Sequence, residues 1–289
     1  MSDQANVAFV QQYTTNVELL LQQMGSRLRK AVMSASYTGK AAKAVEQVGP
    51  VEAIRRNTRH ADTPLISTPH DARWVRPKDF EWADLIDDQD KIRMLIDPQS
   101  PYARNGAMAL GRAIDREIIN QFFAASDTGE DGDTSTAFPA GQVVALGATG
   151  LTVAKLREAK RLLMAADVDI DNERLWIAIT AQQHDDLLGE GAITQSIDFN
   201  EQRILVEGRI TKFVGFNFIH TELLLLDGNG DNRCPAWAES GMHLGMWNDI
   251  TTRISERDDK SYSTQVYVKG TFGATRVEEE KVVEILCDL

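Results

Sequence analysis

Cysteine is nearly missing from this sequence, with only Cys234 and Cys287 among 289 residues. Neither belongs to a CxxC pair, so a disulfide framework and a zinc–cysteine centre are excluded. No run of about 18 consecutive apolar residues occurs, which excludes a helical membrane span and leaves no membrane partner to expect. The opening stretch MSDQANVAFVQQYTT lacks the basic-then-apolar pattern of a signal peptide, so an intracellular product is expected. Positive charge is also in short supply. Lys and Arg number 31 against 43 Asp and Glu, a net charge of −12, which excludes a protein that binds nucleic acid over its whole surface.

What is present is ordinary globular material, 43% hydrophobic and 26% charged, long enough for one large domain or two smaller ones. Its charge is unevenly placed. Residues 1–60 contain eight basic side chains and four acids, a surplus of +4, and the remaining chain is therefore −16. A basic segment ahead of an acidic body suits attraction between one copy's segment and another copy's body. Plain solvation of a surface helix is the alternative. Arg27, Arg29, Lys30, Arg55, Arg56 and Arg59 are the candidate assembly contacts.

The hydrophobic pattern outlines the elements. Spacings of three and four among Val10, Tyr13, Val17, Leu20, Leu21, Met24 and Leu28 predict an amphipathic helix over 6–30. Residues 46–90 read as a long two-stranded excursion with the polar tip RRNTRHADTPLISTPHDAR. Such a ribbon is marginal alone in water and needs a neighbour. A long helix over 101–126 follows, with Ser100 as N-cap and Pro101 in its first position. Its buried stripe is Ala107, Leu110, Ala113, Ile114, Ile118 and Phe122. Thr152 caps a further helix ending at Ala165, followed by a strand over 175–180 and a short helix ending at Leu188. Strands are expected over 202–206, 208–221, 264–269 and 281–287, which makes a mixed α+β layout.

Catalytic patterns are hard to find. Gly39-Lys40 lacks the upstream glycine and the following hydroxyl of a phosphate loop. DTGEDG at 127–132 opens like a calcium loop but has Phe138 where a bidentate Glu is required, so it reads as a solvated loop. DGNGDN at 227–232 reads as a turn. His60, His70, His184, His220 and His243 show no ligand spacing. His184-Asp185-Asp186 reads as a capping or packing group. No GxSxG elbow supplies a nucleophile. No enzymatic activity, cofactor or metal site is expected.

The order of elements and several segments resemble the tailed-bacteriophage major capsid protein, the Hong Kong 97-type fold. The segments are FVQQYTTNVELLLQQMGSRLRKAV, DFEWADLIDDQDKIRMLIDPQSPYARNGAMALGRAIDREII, LTVAKLREAKRLLMAADVD and the closing GATRVEEEKVVEI. The resemblance implies an amino-terminal arm over 1–45 and an extended loop over 46–90 that reaches over an adjacent subunit. It implies a peripheral domain from 91–140 with 251–289, carrying the long spine helix, and an axial domain over 141–250. The implied partners are many copies of the chain in hexamers and pentamers, a separate scaffolding protein, a portal, a decoration protein, and DNA held non-specifically on the inner face. The implied location is the virion capsid, assembled in the host cytoplasm. Two alternatives accompany this reading: an encapsulin-type cellular compartment with the same fold, and a soluble α+β enzyme with a metal-binding surface loop.

Overall fold

A computed structural model describes residues 22–60, 62–63, 65–86, 99–190 and 209–288. Its organising element is helix α1, Gln99–Phe123, whose 25 residues make a rod about 37 Å long. Met108, Leu110, Ile114, Ile118, Ile119 and Phe122 are its buried face. Ser100 lies inside the helix instead of capping it, and what precedes Gln99 lies outside the described residues. The carboxyl end comes earlier than its apolar period suggests. The carbonyls of Phe122 and Ala124 are taken by the buried guanidinium of Arg276, at 2.8 and 2.7 Å, and Ser126 leaves to start a strand.

Alongside α1 runs a four-stranded sheet in the order β1-β12-β13-β4. These strands are β1 (Met33–Ser36), β4 (Lys78–Ile86), β12 (Met242–Arg257) and β13 (Ser263–Arg276). β12 and β13 form a long antiparallel hairpin, and β13 lies against the helix. Phe80 of β4 stacks on Phe272 of β13 at 4.5 Å between ring centroids.

A second sheet has the order β7-β14-β11-β8-β10-β9. It comprises β7 (Val143–Val144), β8 (Leu175–Ile179), β9 (Lys212–Phe213), β10 (Phe216–His220), β11 (Asn232–Ala238) and β14 (Val282–Cys287). Helix α2 (Val153–Ala165) starts where Thr152 accepts from the Lys155 backbone N–H at 3.3 Å, as its sequence suggests. Helix α3 (Ala181–Gly189) begins with a capping box between Thr180 and Gln183. Val214 and Gly215, at φ of 51° and 89°, make the two-residue turn between β9 and β10. The expected strand over 202–206 lies outside the described residues.

β11 carries no sequence signal because Pro235 stands in its middle, where proline argues against a central strand. The sheet accommodates it by pairing β8 only with Ala236–Ala238, so one flank of the strand has no ladder at Pro235. β14 closes the chain against β11 and β7, in the same sheet as the residues around 143–238. One continuous core, with Trp237 and Phe122 in contact at 4.6 Å between rings, joins helix α1 to both larger sheets.

The third sheet, β2-β3-β5-β6, is small. β2 (Ala42–Val48) and β3 (His70–Val75) form the stem of the excursion, while β5 (Ser126–Thr128) and β6 (Thr134–Thr136) form a hairpin beside it. The ribbon is therefore shorter than its sequence suggests. The chain leaves it after Val75 and enters β4 beneath the helix.

The expected helix over 6–30 lies mostly outside the described residues. Its carboxyl end is not helical: residues 22–28 are irregular and Arg29–Ala31 make a single 3-10 turn. The cause is a buried carboxylate on α1.

Candidate assembly surfaces

Asp115, fully buried on α1, accepts hydrogen bonds from the backbone N–H groups of Arg27 (2.9 Å) and Leu28 (3.1 Å), from Ser26 Oγ (2.5 Å) and from the Gln23 amide. These bonds satisfy backbone donors that a helix would otherwise use, so residues 23–28 turn here instead of forming a helix. Close approach helps. A Cβ at Gly111 would stand 2.6 Å from the Cα of Gly25. Sequence reading missed Asp115, although an acid directly after Ile114 on an apolar stripe is the available signal.

The turn places three candidate cations. Arg27 is exposed and donates from Nη1 to the His220 carbonyl at 2.5 Å. Arg29 forms a two-pronged ion pair with Asp249, at 3.1 and 3.0 Å, within its own chain. That guanidinium holds the Asp249 carboxyl below the usual range. Lys30 is exposed on the rim of a cavity of 790 Å³ shared with Arg27, His184 and Arg209.

Arg55, Arg56 and Arg59 sit together at the far end of the excursion. Every residue from 51 to 60 is exposed. Arg56 donates to the Thr58 carbonyl at 3.0 Å, and none of the three arginines is ion-paired with a described residue. Apolar side chains are exposed beside them: Val51, Ile54 and Leu65, the last 97% exposed. Hydrophobic side chains displayed on a protruding loop mark a surface that meets another surface.

The loop's root, in contrast, is firmly held. Arg73 of β3, buried, donates to the Val277 carbonyl (2.7 Å) and pairs with Glu279 Oε2 (2.7 Å). Arg276 stands on the other side of Glu279, 3.7 Å from Oε1. Burial outweighs these partners, raising the Glu279 carboxyl pKa and lowering that of Arg276. Trp74 donates to the Gly129 carbonyl at 2.8 Å, and Arg76 pairs with Asp127 at 2.9 Å. DTGEDG thus forms the β5–β6 hairpin turn, with Gly129 at φ 89°, and braces the ribbon. The reading of a merely solvated loop understates it.

The other chemical suspects have structural roles. In DGNGDN the Asp227 carboxylate accepts the backbone N–H groups of Asn229 (2.7 Å) and Asp231 (2.9 Å), a turn that holds this carboxyl below the usual range. His184 accepts from the Ile210 N–H at 3.3 Å, and Asp186 accepts from the Leu151 N–H at 3.1 Å. His243 packs under Tyr37, 2.8 Å from its hydroxyl, and burial lowers its pKa. A hydrogen bond with Cys287, together with burial, holds the Cys234 thiol well above its ordinary range. Among the described residues no three His, Cys, Asp or Glu side chains are grouped as a metal ion requires.

A family model for phage capsid proteins matches residues 5–289. The chain belongs to the phage capsid protein family. Solved capsid structures share the fold at low identity. The cyanophage Pam1 capsid chain has a TM-score of 0.73 at 12% identity, covering 99% of both chains. The capsid of cyanophage P-SCSP1u gives 0.71 at 16%, covering 98% of this chain and 94% of that one. A chain of Mycobacterium phage Che8 gives 0.71 at 16%, covering 96% and 97%. No curated protein matches by sequence. The fold is the α+β Hong Kong 97-type arrangement, and the protein is a shell subunit of a phage capsid. Neither the encapsulin reading nor the metal-enzyme reading draws support from these matches.

Proposed function

We propose that the capsid protein assembles through hexamers and pentamers into a closed icosahedral shell around double-stranded DNA, with no catalytic step of its own. The observation that carries this reading is the excursion: a root fixed by buried ion pairs and a tip that displays Leu65, Ile54 and three arginines to solvent. A monomer gains nothing from such exposure, whereas a subunit with neighbours buries it. Residues 1–45 serve as the arm and 46–90 as the loop reaching over an adjacent subunit. Residues 91–140 with 251–289 form the peripheral domain, and 141–250 the axial domain. Assembly takes place in the host cytoplasm, guided by a separate scaffolding protein. Portal and decoration proteins complete the particle, and DNA touches the inner face without sequence preference. Electron microscopy of the protein expressed with and without its neighbouring phage genes tests this. Closed shells tens of nanometres across are expected; a small monodisperse species under both conditions counts against the reading.

A further inference from the structure

An acidic groove wraps around the base of the excursion. Two adjoining pockets, of 540 and 270 Å³, share Pro50, Glu278 and Glu280 in their walls. The larger adds Asp167, Asp169 and Glu173, so five carboxylates face a single ammonium, that of Lys281. Lys281 is already engaged by Glu278 at 2.9 Å and Glu173 at 3.8 Å. Asp167 and Glu280 are exposed and have no hydrogen bond or ion pair to a described residue through their side chains. In the smaller pocket Glu279 Oε1 has the Arg276 guanidinium 3.7 Å away, beyond hydrogen-bond distance.

Local preference does not explain this groove. Asp167 follows the last turn of α2 in the left-handed conformation, at φ 56°, a place that favours glycine. Its negative charge there also faces the negative end of the helix dipole. A groove lined mostly by carboxylates suits a cationic partner.

We propose that the groove is the receptor for the basic loop tip, Arg55, Arg56 and Arg59, of a second copy of this chain. The inference rests on the reading that the excursion reaches a neighbour, and it names where the tip lands. Charge complementarity identifies the occupant. Among the described residues the three guanidiniums have no ionic partner, and guanidinium forks match carboxylates in pairs. The tip does not occupy its own groove, because every residue from 51 to 60 is exposed. Tip and groove are different patches of one surface, so the contact is head-to-tail and closes into a ring by rotation. Val51 and Ile54, exposed at 50% and 61%, add apolar burial beside the ion pairs.

Charge exchange tests this in cells that otherwise produce shells. Arg55→Glu, Arg56→Glu and Arg59→Glu together are expected to lower shell yield about tenfold or more, since the loss repeats at every contact. Asp167→Lys, Glu278→Lys and Glu280→Lys together are expected to do the same. The chain carrying all six changes is expected to recover shells. A second measurement covers the case in which the reversed chains do not fold. Asn57→Cys with Glu280→Cys is expected to give a ladder of disulfide-joined subunits in oxidised particles. If the tip reversal blocks assembly while the groove reversal does not, and no ladder forms, the groove is wrong and the reaching loop stands. If neither reversal matters, both ideas fall. A bridge closed within one chain also overturns the proposal.

Discussion

Asp115 is the side chain on which the amino-terminal segment turns. One carboxylate takes the N–H groups of Arg27 and Leu28 together with the Ser26 hydroxyl and the Gln23 amide. Asp115→Ala leaves these donors unmatched where Leu28 is fully buried, and about 2–4 kcal/mol of stability is expected to go with it. Denaturant unfolding measures the loss, and faster proteolysis near residues 22–32 locates it; an unchanged midpoint with unchanged cleavage contradicts the assignment. Glu279 offers a pH signature. Burial holds its carboxyl above the usual range, ahead of the opposing pull of Arg73. The folded state therefore keeps a proton that the unfolded chain has already released, so this group's contribution falls as pH rises from the ordinary carboxylate value through the folded one. Glu279→Gln is expected to lack that slope, so the stability difference between wild type and variant changes with pH through this range. Parallel stability–pH curves for the two would refute it.

At the scale of elements, α1 depends on close approaches that a helical pattern does not reveal. Gly111 faces the backbone of Gly25 and Ser26, with 2.6 and 2.8 Å to the position of an added Cβ. Alanine is the better helix former by about 1 kcal/mol, so on an open face Gly111→Ala stabilises. Here the methyl meets backbone that cannot rotate away, and overpacking of about 1–3 kcal/mol outweighs the propensity gain. The melting temperature of the variant is expected to fall; a rise means that the arm does not pack on α1. The cap of α2 is simpler. Thr152→Ala removes the bond to the Lys155 N–H and is expected to cost about 1 kcal/mol, read by the same unfolding experiment. A cost of zero assigns the helix start to packing alone.

For the whole molecule, the +4 surplus of residues 1–60 is not all available for assembly. Arg29 is matched by Asp249 inside the subunit, whereas Arg55, Arg56 and Arg59 at the loop tip have no ion pair with a described residue. Exposed pairs are worth only about 0–1 kcal/mol each, but a shell repeats them many times over. Particle formation at fixed protein concentration is therefore expected to weaken as salt rises, because the screening length falls from about 10 Å at 0.1 M to about 3 Å at 1 M. Light scattering across that range checks this; assembly indifferent to salt returns the charge to a solubility role.

Local chemistry was readable from the sequence alone. The Thr152 cap, the β14 strand and the core face of the spine helix follow from residues a few positions apart, whose spacing sets which side is buried. The α+β class and the basic, poorly packed excursion were legible for the same reason. The tertiary structure decided what depends on residues far apart in the chain. Asp115 fixes the turn at residues 23–28 from some 90 positions away, and Arg276 ends α1 from 152. Pro235 sits in a central strand only because the ladder with β8 stops at Ala236. The acidic groove gathers the end of α2 and the β13–β14 turn, which no periodicity connects. Periodicity reports a residue's own neighbours along the chain; these contacts exist only once the chain has folded back on itself.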